Sequence, residues 1–212
     1  MSTLAASEQE HRATETAAAK TIHPVWVRVC HWTNAVAMVI MIMSGWQIYN
    51  ASPLFNFTFS PMLTLGGWLG GGIMWHLAAM WLLVANGLVY VIAGLATGRF
   101  RKKLLPISAT GVIGDTKAAL TGQLSHDDLT KYNNVQKLLY AGIIVVGILV
   151  VLSGLSIWKP VQFQYLTALF GGYDIARYVH FAMMALICAF LVVHVALALL
   201  VPKSLRAMII GR

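Results

Sequence analysis

Four stretches of this 212-residue sequence, 29–49, 73–97, 138–158 and 178–201, contain neither aspartate nor glutamate. Charge is scarce throughout, 10% of residues against 58% hydrophobic, where a soluble domain carries about 25%. That composition cannot clothe a water-facing surface, so a soluble globular fold is excluded. As a helix rising about 1.5 Å per residue, each stretch can cross a hydrocarbon core of about 30 Å. The helix through the first is expected to begin near Val25. The missing carboxylates also argue against a proton or metal path through the membrane, which normally uses them. Cysteine is nearly absent: Cys30 and Cys188 each sit inside an apolar stretch and read as small core residues. With no C-x-x-C and no C-x-x-C-H, no covalently attached c-type haem is implied.

The basic balance is large, 15 Lys and Arg against seven acids for a net charge of +8. Its distribution argues against a nucleic-acid partner. All the cations but Lys159 and Arg177 lie before or at the start of the first stretch, between residues 98 and 137, or after Pro202. Positive charge marks the cytoplasmic side. Both termini and the middle loop are therefore expected in the cytoplasm of a four-span, all-α integral membrane bundle. Residues 1–22 are polar and lack an apolar core of the signal-peptide kind, and are expected to form a mobile cytoplasmic tail. Residues 23–203 form the transmembrane domain in this reading, and 204–212 a second cytoplasmic tail. The outer loop 50–72 holds two prolines and five glycines, with Phe and Trp suited to the membrane interface. Short surface helices are expected around 115–120 and within the outer loop 159–176.

What the apolar stretches do contain is histidine. Of seven, His11, His23 and His126 fall outside the stretches and are expected to be solvated. His31, His76, His180 and His194 fall near or within them, where ionisable residues are rare and usually functional. The topology sorts these four by depth. His31 near the start of the first span shares a level with His194 near the end of the fourth. His76 and His180, opening the second and fourth spans from outside, share the other. Fourteen residues at 3.6 per turn put His180 and His194 within roughly 40° of one face and about 21 Å apart. One helix thus offers two ligands, and the first and second helices one partner each. Two axial histidines per iron describe b-type haem in a bundle core, whereas zinc would need four ligands at one point. The other reading of each histidine is a hydrogen bond to a neighbouring helix.

Smaller signals accompany the histidines. Gly45 follows His31 by fourteen residues and Gly87 follows His76 by eleven, each nearly on its histidine's face, where a flat macrocycle needs small residues; ordinary helix packing is the alternative. Gly142, Gly147 and Gly154 punctuate the third span. "RVCH" at 28–31 and "RYVH" at 177–180 place Arg28 and Arg177 one turn nearer water than a histidine, suited to haem propionates. The alternative there is a charge snorkelling from a helix end.

Together "HPVWVRVCHW", "WH", "GRFRKKLLP", "KYNNVQKLLY", "SGLSIW" and the fourteen-residue histidine spacing resemble the bacterial di-haem cytochrome b family. That family includes cytochrome b561, hydrogenase b-type cytochromes and formate-dehydrogenase gamma subunits. The likeness covers nearly all of 23–203 and is greatest to thiosulfate-reductase-type cytochrome b subunits. It implies two b haems stacked across a bacterial inner membrane, His31 and His194 holding the inner one, His76 and His180 the outer. It also implies electron transfer between quinone (ubiquinone or menaquinone) and a periplasmic redox enzyme, of molybdopterin type. The quinone site would fall on Asn133 and Gln136 of "YNNVQK", near Lys131 and Lys137; read without the resemblance, these residues are better taken as a polar helix start with an Asn cap. The alternative function is a stand-alone superoxide oxidase passing electrons from superoxide to quinone, with Lys159 and Arg177 as its outer cationic site.

Overall fold

A computed structural model describes residues 22–121 and 132–211. Among these the regular secondary structure is all helical: α1 (Val25–Ala51), α2 (Leu69–Ala96), α3 (Arg99–Leu104), α4 (Ala109–Leu120), α5 (Asn134–Trp158), α6 (Gln164–Leu169), α7 (Tyr173–Leu200) and α8 (Pro202–Ile210), with a 3-10 turn at Pro61–Leu63. Four of them, α1, α2, α5 and α7, have 25 to 28 residues and are apolar enough to cross a membrane. They start about four residues before the apolar stretches do, because hydrophobicity marks only the part of a helix that lies in lipid. Residues 1–21 of the expected N-terminal tail, with His11, His126 and Lys131, lie outside the described residues.

The four long helices form two hairpins, α1 packed on α2 and α5 packed on α7. Lipid tails supply no hydrophobic drive between helices, so close approach relies on small residues. Accordingly the fully buried positions are Ala37, Ser44, Ser153, Ser156 and Ala176, while large apolar side chains such as Trp81, Ile92 and Val192 face outward. A polar tie adds to the first hairpin: Asn86 Nδ2 donates to Cys30 O at 2.8 Å and to Asn34 Oδ1 at 2.6 Å. Between α1 and α7 the backbones approach less closely than within either hairpin. Side-chain rings bridge that gap, including Tyr49 against Phe181 at 5.2 Å.

Two short elements differ from expectation. The middle surface helix begins at Ala109, because Ser108 Oγ accepts from Gly111 N at 3.2 Å and caps it. It is docked on α5 through Asp115, whose Oδ2 accepts from the backbone N of Asn134 at 2.6 Å and from its Nδ2 at 3.1 Å; a carboxylate there also suits the positive end of α5. Residues 204–210, expected as a tail, continue α8. Pro202 ends α7 and sits in the first turn of α8, where its missing N–H costs nothing.

α8 folds back on α1. Arg28 Nη1 donates to Ile209 O at 2.7 Å, Ile22 N to Gly211 O at 2.9 Å, and Trp32 Nε1 to Met208 O at 3.3 Å. The two termini thus clasp each other at one end of the bundle, the basic end.

His23 belongs to this clasp and is not solvated as expected: it is 9% exposed, and Arg99 Nη2 donates to its Nδ1 at 3.3 Å. Burial, reinforced by Arg99 and Lys103, lowers its pKa from 6.5 to about 4. Protonation is thus easier in the opened segment than in the folded one. The clasp should keep full stability above pH 6.5 and lose it progressively as pH falls toward 4. Hydrogen exchange at 202–211 followed from pH 7 to 4, after correction for intrinsic rates, should show that loss. His23→Asn, which keeps an acceptor for Arg99 without titrating, should flatten it.

Candidate functional site

α7 presents His180 near its start and His194 near its end. The imidazole of His194 faces His31 of α1, ring centroids 6.0 Å apart and planes at 59°. His180 faces His76 of α2 at 6.3 Å and 68°. No hydrogen bond joins the rings within either pair. A metal–imidazole bond of about 2 Å on each side of one ion puts two ring centroids roughly 6 Å apart, which is the separation seen in both pairs. Among the described residues no three His, Cys, Asp or Glu converge as a metal cluster; the histidines come in twos, as axial ligation of a planar group requires and a tetrahedral zinc site does not.

The far-end pair is oriented by its neighbours in the same way twice. His76 Nδ1 lies 3.1 Å from Met41 O and 3.1 Å from Ser44 Oγ. His180 Nδ1 lies 3.0 Å from Val150 O and 3.2 Å from Ser153 Oγ. A carbonyl oxygen has no hydrogen to give, so in both rings Nδ1 carries the proton and donates. Nε2 is left with its lone pair, the form a metal needs. Glycine makes the approach possible: a Cβ on Gly45 would stand 3.3 Å from His76 Cε1, and one on Gly154 3.1 Å from His180 Cε1. Gly45 therefore admits an imidazole. Gly87 has no heavy atom within 4 Å of where its Cβ would be, and neither do Gly142 and Gly147. Ser44 and Ser153 escaped the sequence reading. The available signal was the repeated Ser-Gly at 44–45 and 153–154, near the far end of two spans.

The basic-end pair is held by rings. Phe190 stacks on His194 at 5.5 Å and 12°, and Trp32 meets His31 edge-on at 5.3 Å. Neither histidine has a hydrogen bond among the described residues.

Arg28 and Arg177 each reach the carboxyl end of another helix. Arg28 binds Ile209 O, as above, and Arg177 Nη2 donates to Ser52 O at 2.6 Å and Ser52 Oγ at 3.1 Å, at the end of α1. Cations are favourable at that end of a helix dipole. Two buried donors have no partner: Arg28 Nε, one turn from His31, and Trp46 Nε1, next to Gly45. By chain position each belongs to the level of one histidine pair, and a group with outlying carboxylates would supply an acceptor. The pairing distance, the free Nε2 atoms and these orphaned donors all fit haem b.

Asn133 and Gln136 start α5 as a capping box. Asn133 Oδ1 accepts from Gln136 N at 2.8 Å, and Gln136 Oε1 from Asn133 N at 3.1 Å. The oxygens are occupied and the two NH₂ groups remain as donors. Beside them Tyr132 packs edge-on to Tyr140 at 5.1 Å, with the Lys103 ammonium 5.7 Å from its ring. Burial raises the Tyr132 pKa, against the pull of Arg99. Two clefts open at the basic end, about 190 Å³ beside Trp26 and Arg99 and about 380 Å³ between Arg28, Trp32 and Ile209; neither is lined by Asn133 or Gln136.

Comparison with known proteins adds to this geometry. The family model described as prokaryotic cytochrome b561 matches residues 22–211. A protein of Azospira oryzae named as a putative protein-methionine-sulfoxide reductase subunit, YedZ1, is 52% identical over 190 residues, covering 90% of this chain and 96% of that one.

Proposed function

The chain belongs to the prokaryotic cytochrome b561 family, and on that premise we propose that it carries electrons across a bacterial inner membrane between quinone at its basic end and a periplasmic redox enzyme at its far end. The coarser part of that statement needs no proposal: it is a multi-pass membrane protein of haem-based electron transfer. The observation that carries the rest is the pair of imidazole couples, 6.0 Å and 6.3 Å across, at two levels of one bundle.

In this reading His31 and His194 would hold one haem at the basic end, and His76 and His180 one at the far end. Haem b, when bound, supplies a one-electron carrier at each level. The protein's own part is to hold two imidazoles opposed at each level, to keep water away with an apolar shell, and to satisfy the carboxylates through Arg28 Nε and Trp46 Nε1. Arg177 contributes by fixing the end of α1 near His180 rather than by direct contact. The name of the Azospira relative favours a partner that reduces methionine sulfoxide in proteins. That reaction takes two electrons and two protons and releases water, and oxidation of one quinol supplies both electrons. A superoxide oxidase would rely on the far-end cations. Arg177 is engaged with Ser52, and Lys159 lies 5.3 Å from the Trp158 ring, which favours the subunit reading.

Pyridine haemochrome on purified protein should give close to two haems b per chain; a value near zero would sink the reading. His76→Ala and His31→Ala should each remove a different component in a potentiometric titration. Loss of the same component in both would show that the pairing is wrong.

The quinone site is proposed at the free NH₂ groups of Asn133 and Gln136. Asn133→Asp with Gln136→Glu keeps the capping oxygens but removes the amide donors. Quinol-driven haem reduction should slow about tenfold or more, the worth of one or two hydrogen bonds, with both haem spectra intact. Unchanged quinol kinetics would place the site elsewhere, with the far-end surface near Tyr165 and Phe170 next to be tested.

A further inference from the structure

The far-end histidines share a device that the basic-end pair lacks, and it is written twice in the chain. In α1, Met41 supplies a carbonyl, Ser44 three residues on supplies a hydroxyl, and Gly45 four residues on leaves out a side chain. In α5, Val150, Ser153 and Gly154 repeat the pattern with the same spacing. Residue i+4 of a helix ordinarily shields the carbonyl of residue i with its Cβ. Glycine there exposes the carbonyl to a donor from the neighbouring helix. The serine completes the cradle. Ser44 Oγ donates to Ile40 O at 2.5 Å and Ser153 Oγ to Leu149 O at 2.7 Å, which turns an oxygen lone pair, not a hydrogen, toward each imidazole N–H. Both serines are completely buried, so no water competes for that bond.

We propose that Ser44 and Ser153 are positioning residues for the far-end haem: together with the Met41 and Val150 carbonyls they lock His76 and His180 in the Nδ1-protonated tautomer and hold that haem's reduction potential down. The inference rests on the two-haem reading above. A hydrogen bond accepted from Nδ1–H makes the imidazole more basic, and a more electron-donating axial ligand favours the oxidised iron. The effect is confined to one level, since His31 and His194 have no such acceptor among the described residues.

The test uses the full-length protein. Ser44→Ala, Ser153→Ala and the double variant should keep two haems per chain and raise the potential of one redox component, the one that His76→Ala removes. The other component should not move, and the double variant should shift further than either single one. An unmoved far-end potential with both haems present would overturn the proposal; fewer than two haems in the unmodified protein would instead overturn the two-haem reading. If the serine variants lose haem, a second measurement decides. In His76→Gly, added imidazole can restore both the ligand and the N–H donor, whereas 1-methylimidazole restores the ligand alone. Imidazole should bind at least about tenfold more tightly and give the lower potential. Equal binding of the two azoles, or restoration by neither, would overturn the assignment.

Discussion

An imidazole N–H buried between apolar helices must find an oxygen, and in a membrane the only abundant oxygens are backbone carbonyls already engaged in their own helix. His76 and His180 meet that demand by sharing the Met41 and Val150 carbonyls with the helix ladder. Much of the bundle follows from it. The donor helix must lie close against the acceptor helix, which sets the α1–α2 and α5–α7 pairings. A glycine must stand at the point of approach. The opposite ring nitrogen is left pointing out of the hairpin, toward the other hairpin. The two pairs of helices can therefore stand apart at the level of the rings, with each Nδ1–H satisfied inside its own hairpin.

The basic end answers a different constraint. There the helix termini hold unpaired carbonyls near water, and arginines from distant parts of the chain cap them. Arg28 is fixed there by the last turn of α8, and at the far end Arg177 is fixed in the same way by Ser52, just past α1. The same chemistry thus serves both ends of the molecule, tying the termini together at one and the two hairpins together at the other.

The four spans and the placing of their histidines were legible because hydrophobicity and the 3.6-residue period act locally. The fourteen-residue interval puts His180 and His194 on one face whatever surrounds them. The roles of neighbouring residues were less legible where a partner comes from far along the chain. Arg28 and Arg177 sit one turn from their histidines, yet their hydrogen bonds go to Ile209 and Ser52, about which an R-x-x-H motif says nothing. Gly45 was recognised as a place of close approach, but the approaching group is the His76 ring. Ser44 and Ser153 escaped notice because serine in an apolar run usually bonds its own helix; theirs do so and also face a histidine. His23 next to Pro24 read as a surface residue, since nothing local announces that α8 and Arg99 will cover it.

The clasp between α8 and α1 has a consequence for how the chain is made. Translation runs from the amino end, so the first hairpin is synthesised while α7 and α8 do not yet exist. His76 can already be aligned then, because its acceptors Met41 and Ser44 lie within that hairpin. His31 has no such help, and its facing ring His194 and the Ile209 carbonyl that anchors Arg28 lie within the last nineteen residues. The basic-end level can close only once α7 and α8 have both left the ribosome. A premature stop before Ile209 would spare the far-end geometry and remove the carbonyl that anchors Arg28.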